Sequence, residues 1–193
     1  MMAPLLEIDA AGWADAARRR PSPNFDARPD GMPVDLLLIH NISLPPSQFG
    51  GDWIDDLFLN RLDPLAHPYF ETIHTFEVSS HFLIKRDGGI TQYVSCNDRA
   101  WHAGASCWRS RARCNDFAIG VELEGDDFSP FTDEQYASLG VLTEAIRKRY
   151  PSVQGVAGHS EVAPDRKTDP GEHFNWSRYI DEAQIPMNWR RIK

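Results

Sequence analysis

Val34 to His40 reads VDLLLIH, a continuous apolar run that ends on a histidine and is followed by Asn41. Runs of this kind suit strands buried on both faces of a sheet, and ligand sites form where such strands end. On strand alternation Val34, Leu36, Leu38 and His40 share one side. A histidine closing a buried strand is commonly a hydrogen-bonded structural residue, and in isolation His40 takes that reading.

The stretch His159 to Gly171, HSEVAPDRKTDPG, changes the weighing. It is too rich in turn residues to be expected as a helix, and Pro170 biases Asp169 towards an extended backbone. Side chains two apart then point the same way. Lys167 and Asp169 would face a common point, with His159 returning from the other end of the loop. Taken alone, the loop could equally be a surface turn with a Lys–Asp pair worth little. His40, His159 and Asp169 together make a different case. Two neutral imidazoles and one carboxylate form a ligand set suited to catalytic zinc, with the fourth position left for water.

Four segments carry a more specific resemblance: HNISLPP (His40–Pro46), WHAG (Trp101–Gly104), RCNDFAIGVELEG (Arg113–Gly125) and GHSEVAPDRKTDPG (Gly158–Gly171). In this order they resemble the zinc N-acetylmuramoyl-L-alanine amidases of the amidase_2, or peptidoglycan-recognition, type. Within that family the likeness is to cytosolic members acting on anhydro-muropeptides, and it runs from about Pro21 through Trp176. The resemblance implies a single amidase domain over 1–193, with zinc held by His40, His159 and Asp169. It also implies Glu122 as general base, Lys167 as the cation that stabilises the oxyanion, and Arg113 as a contact to the terminal diaminoacid of the stem peptide.

The implied reaction is hydrolysis of the amide between the lactyl group of N-acetylmuramic acid, in its 1,6-anhydro form, and L-alanine during cell-wall recycling. Two competing functions are a lytic amidase acting on intact wall and a recognition module that binds without cutting. Strand alternation alone puts Glu122 and Glu124 on one face and does not choose between them; the resemblance favours Glu122. His102 is expected to orient a ligand or contact substrate, Trp101 to offer a face to the sugar, and Asn41 to donate to the substrate. His67, His74, His81 and His173 are expected to be structural or solvent-exposed.

A chain of 193 residues with 41% hydrophobic content has room for one full core. The opening MMAPLLEIDAAGWADAARRR lacks a basic head before an apolar core, and the residues after Arg18–Arg20 are polar, so neither an export signal nor a membrane span is expected. The expected location is the cytoplasm. Cys96, Cys107 and Cys114 are odd in number and unpaired in spacing, which points to reduced thiols. A net charge of −8 disfavours nucleic acid and anionic membrane as partners. The expected partner is a soluble anhydro-muropeptide, bound by a monomer. Because that substrate is itself acidic, a local basic patch is needed, and Arg109, Arg111 and Arg113 would share a face if extended.

The fold expected is α/β, a mixed central β-sheet flanked by helices. The long connection over 41–70 should act as a wall or lid with one short helix near Asp52–Asn60. His81–Val94 should form a hairpin turning at Asp87-Gly88-Gly89. Phe117–Glu124 should be a strand with Phe117, Ile119, Val121 and Leu123 under helices. Its other side, Ala118, Gly120, Glu122 and Glu124, should leave an open floor. Thr132 and Gln135 should cap a long helix to Tyr150, with Leu139, Leu142, Thr143 and Ile146 as its buried stripe. A strand near Val153–Ala157 and a helix over Trp176–Ala183 should follow.

Overall fold

The computed structural model describes residues 6–190. The first five residues of the N-terminal stretch read above lie outside that range. Ten strands form: β1 Arg18–Arg19, β2 Phe25–Ala27, β3 Leu36–Ile42, β4 Phe82–Ile84, β5 Ile90–Gln92, β6 Asp98–Ala100, β7 Cys107–Trp108, β8 Arg111–Ala112, β9 Ala118–Glu124 and β10 Gly155–Gly158. Six of them make one mixed sheet in the order β1-β5-β4-β9-β3-β10. The β4, β9, β3 and β10 strands run parallel, while β5 pairs antiparallel to β4 through the expected hairpin. Two short antiparallel ribbons, β2–β6 and β7–β8, lie outside it. No helix among the described residues is long and apolar enough to cross a membrane.

Among the described residues five α-helices accompany the strands: α1 Trp53–Phe58, α2 Pro68–Ile73, α3 Asp133–Arg149, α4 His159–Val162 and α5 Trp176–Glu182. The start of α3 is fixed by a reciprocal capping box between Thr132 and Gln135. All four residues of its expected stripe, Leu139, Leu142, Thr143 and Ile146, are buried.

Register explains the two faces. On adjacent parallel strands Leu37 lies beside Ile119, and Ile39 beside Val121. These residues join Phe82, Ile84, Leu139, Leu142 and Tyr179 in the main core under α3 and α5. The opposite face carries Leu36 beside Ala118 and Leu38 beside Gly120, packed with Ala103, Ala157 and Val162. Further along that face His40 lies beside Glu122. The sheet's apolar half stabilises the fold, with each fully buried Leu or Ile contributing about 1.5–3 kcal/mol. The polar end of that same face is where the strands stop.

Several expectations are corrected. Val34 precedes β3 and packs into the core of Leu37 and Ile39, not beside Leu36 and Leu38. Phe117 likewise precedes its strand and packs with Leu36 and Leu38. The face of Ala118, Gly120, Glu122 and Glu124 is not an open floor, since all four are buried. The His102 ring lies so close over Gly120 that a Cβ there would sit 2.6 Å from His102 Cγ. Arg109, Arg111 and Arg113 do not share a face. Arg109 and Ser110 adopt positive φ at the β7–β8 turn, Arg111 pairs with Asp35, and Arg113 has a φ of 65°.

His159–Val162 is one helical turn and not loop, because the Glu161 carboxylate accepts from the Gly158 amide at 2.6 Å and starts it. The 41–70 connection begins a second helix, α2, whose first turn is capped by the His67 side chain accepting from Tyr69 N. Leu44, Ile54, Leu57, Phe58, Leu62 and Phe70 bury this segment against Leu83 and Tyr93. Asp55 sits at its base, fully buried, and accepts from Tyr93 Oη and Arg20.

Candidate active site

Three elements deliver the site to the carboxyl ends of parallel strands, where open α/β sheets place ligands. His40 lies near the end of β3. His159 is the first residue after β10, the neighbouring strand. Asp169 arrives on the turn Thr168–Gly171, which is tied back to α4 where Ser160 N donates to Asp169 O at 2.9 Å. Gly158 makes this approach possible, since a Cβ there would meet Pro170 Cδ at 2.7 Å.

The three donor atoms form a nearly equilateral triangle. His40 Nδ1 is 3.0 Å from His159 Nδ1 and 3.0 Å from Asp169 Oδ2, while His159 Nδ1 is 3.1 Å from the same oxygen. Protons alone satisfy this arrangement poorly. If both imidazoles donate to the carboxylate, two N–H groups face each other; if neither does, three lone pairs converge. A cation at the common point resolves the conflict, and the donor set is one that zinc accepts.

The far nitrogens bear this out. Ala103 O, which can only accept, lies 3.1 Å from His159 Nε2 and requires the proton there. In the neutral ring Nδ1 is then left as a lone pair facing the triangle. His40 Nε2 lies 2.9 Å from His102 Nδ1; with His40 as the donor of that pair, its Nδ1 is again left free.

Electrostatics separates the two carboxylates nearby. Burial tends to raise the Asp169 pKa, but its contacts with His159 and His40 outweigh burial and hold it well below the usual range. Glu122 moves the other way. Its burial, then the charge of Asp169, push its pKa well above the ordinary value, opposed by Lys167. Glu122 Oε1 is 4.0 Å from His40 Nδ1, and its Oε2 has no partner within the protein. His40 is pulled down to about 4, chiefly by burial, against the raising influence of Asp169.

Glu124 has a different occupation. Its two oxygens accept from Gly50 N at 2.6 Å and Arg86 N at 3.0 Å, tying the 41–70 connection to the hairpin. Asn41 donates to Asp127 Oδ1 at 2.8 Å. Trp101 is half-buried, with its indole nitrogen unpartnered within the protein. Arg113 is mostly exposed and pairs with Asp116 at 3.2 Å. Lys167 is exposed, on the segment between α4 and Asp169. Of the other histidines, His81 is fully buried, with Nδ1 accepting from Gly120 N at 3.0 Å.

Asn115 and Arg166 were not singled out from sequence, though both lie within the quoted motifs. Each acts on backbone atoms of the Trp101–Gly104 region, and contacts to backbone leave no signature in residue spacing.

The N-acetylmuramoyl-L-alanine amidase family model matches residues 30–172. The chain is 54% identical over 169 residues to the 1,6-anhydro-N-acetylmuramyl-L-alanine amidase AmpD of Citrobacter freundii, which covers 87% of this chain and 90% of that protein. Among solved structures, the crystal structure of a selenomethionine AmpD derivative superposes with a TM-score of 0.87 at 53% identity, covering 89% of this chain and 97% of that one. The amidase AmiD of Escherichia coli, in complex with the substrate anhydro-N-acetylmuramic acid-L-Ala-D-γ-Glu-L-Lys, gives a TM-score of 0.59 at 27% identity, covering 95% of this chain and 67% of that one.

Proposed function

The chain belongs to the N-acetylmuramoyl-L-alanine amidase family, and from that premise we propose that it hydrolyses the amide between 1,6-anhydro-N-acetylmuramic acid and L-alanine in soluble muropeptides during cell-wall recycling. The observation that carries this reading is the triangle of His40, His159 and Asp169 beside a buried, raised-pKa Glu122. A recognition module needs neither the donor triangle nor a proton-carrying carboxyl next to it.

We assign Zn2+ to the three donors; when bound, such an ion polarises the scissile carbonyl and makes water nucleophilic near neutral pH. The chain's own groups supply the remaining steps. Glu122 takes the proton of the attacking water and returns it to the leaving nitrogen, a role suited to a buried carboxyl whose proton affinity burial and Asp169 raise. Lys167, close enough to lower the Glu122 pKa, stabilises the negative charge that develops on the carbonyl oxygen. Arg113 is free enough to exchange Asp116 for a carboxylate of the stem peptide. Trp101 and Asn41 are assigned as substrate contacts, with Asn41 sharing its amide with Asp127. His102 acts from behind His40.

The chain is read as one amidase domain, monomeric and cytoplasmic, with the 41–70 connection as a wall of the cleft. Neither nucleic acid nor membrane is among its partners, in keeping with a net charge of −8.

The test is turnover of one defined anhydro-muropeptide, with product masses, before and after treatment with a chelator. Release of the free stem peptide that stops on chelation and returns with zinc is expected. Binding without release would overturn the reading, and faster action on purified sacculi than on the soluble substrate would overturn the substrate.

A further inference from the structure

Two consecutive residues of one loop meet the far nitrogens of both histidines among the three candidate metal ligands. His102 Nδ1 faces His40 Nε2 at 2.9 Å, and Ala103 O faces His159 Nε2 at 3.1 Å. A neutral imidazole binds a cation only through the nitrogen that lacks a proton, and the partner of the other nitrogen decides which one that is. The place of this loop therefore sets the His159 tautomer through a carbonyl that only accepts, and the His40 tautomer where His102 Nδ1 is the acceptor.

Two side chains outside the ligand triangle hold the loop. Asn115 lies in the 3-10 turn Cys114–Asp116 that leads into β9, and it is 6% exposed. Its Oδ1 accepts from His102 N at 3.2 Å and from Ala103 N at 2.8 Å, using both lone pairs of one carboxamide oxygen. Across the loop, Arg166 donates to Ala103 O at 2.7 Å and to Ala105 O at 2.8 Å. Ala103 O is thus shared by Arg166 and His159, and the amide of the same residue is held by Asn115.

We propose that Asn115 is a positioning residue of the metal centre, gripping two successive amides so that His102 and Ala103 keep both imidazoles with Nδ1 turned to the cation, and that Arg166 is the second clamp. This rests on the reading of His40, His159 and Asp169 as zinc ligands. Neither Asn115 nor Arg166 is a ligand; Asn115 acts through the loop alone, while Arg166 also lies 3.4 Å from His159 Nε2. The carboxamide oxygen is the working atom. Aspartate at this position retains an acceptor for both amides, whereas leucine, of similar size, leaves two partly or fully buried N–H groups without a partner.

The experiment measures zinc affinity of the full-length protein by competition with a chromophoric chelator, alongside the visible spectrum of the cobalt-loaded form. Loss of an outer partner typically weakens metal binding about 10- to 100-fold, and that loss is expected for Asn115→Leu with a shifted cobalt spectrum. Asn115→Asp should stay within a few-fold of the wild type, about the spread of such measurements, and keep its spectrum. Thr132→Ala, which weakens the distant α3 cap, should lower stability without moving zinc affinity. If Asn115→Leu does not fold, Arg166→Met on the exposed side of the loop carries the test, with a loss of about tenfold expected. A wild type that binds zinc and a variant of either clamp that binds it as tightly would overturn this inference alone. A wild type that takes up no zinc would overturn the ligand assignment and this inference with it.

Discussion

His40 and Glu122 are register partners on adjacent parallel strands, and Nδ1 of the first lies 4.0 Å from Oε1 of the second. Their separation is set by the hydrogen-bond ladder of β3 and β9, not by loops. The proposed ligand and the proposed proton carrier share a ladder and cannot drift apart without breaking the sheet, which is the kind of rigid support a catalytic constellation requires.

Glu122→Gln should therefore keep the fold and the zinc yet lose turnover by a factor on the order of 10²–10⁴, the usual contribution of a general base. Metal content and kcat on one sample check this. Near-normal turnover would remove Glu122 from its role.

Glu124→Gln should behave in the opposite sense. One of the two amides it serves, Gly50 N or Arg86 N, would face an NH2 group, at a loss of about 1–3 kcal/mol of stability. Denaturant midpoints compared with kcat separate the two carboxylates. A Glu124 variant inactive at full stability would reverse the assignment.

His159→Ala should lose zinc and activity together, because it removes one corner of the triangle. Lys167→Ala should keep zinc while kcat falls by a factor on the order of 10²–10³, as for removal of an oxyanion donor. Zinc retained in full by the His159 variant would contradict the first expectation, and unchanged kcat the second.

His81 gives a pH dependence outside the metal ligands. Burial, then the charge of Arg28, pulls its pKa down from 6.5 to about 3, only partly opposed by the Asp98 carbonyl. Between those values the unfolded chain holds one proton more than the folded chain, so stability rises with pH. The contribution is present in full above pH 6.5 and is lost as the pH falls towards 3, at about 1.4 kcal/mol per unit. Between pH 7 and pH 5.5 the wild type should lose about 1 kcal/mol more than His81→Asn. Equal losses in urea titrations at fixed zinc would show that His81 is not held neutral.

The parts of the fold legible in sequence were those governed by local periodicity. The apolar run into His40, the Thr132–Gln135 cap and the Gly88 turn each depend on neighbours a few residues apart. What escaped was set by contacts far apart along the chain. Asp55 reaches Tyr93, and Arg28 donates to carbonyls of Cys96, Asn115, Asp116 and Ala118. The capping of α2 by His67 escaped for a different reason, since histidine is an uncommon choice beside Ser, Thr, Asp and Asn. At the site, the meeting of His40, His159 and Asp169 was readable because few residue types can hold a metal ion. The separate duties of Glu122 and Glu124 were not, because alternation gives them one face and only the backbone amides of Gly50 and Arg86 tell them apart.

The strand bearing His40 is flanked on both sides by parallel partners, and apolar clusters fill the sheet's two surfaces without reference to the polar tip. The architecture thus rests on the sheet ladder and its apolar clusters and not on the three donors, unlike small domains that fold only around their metal. A chelated sample should keep its far-ultraviolet circular dichroism while silent in turnover. On the zinc reading proposed above, the protein should empty and reload without passing through a denatured state, so that metal supply would throttle turnover and not folding.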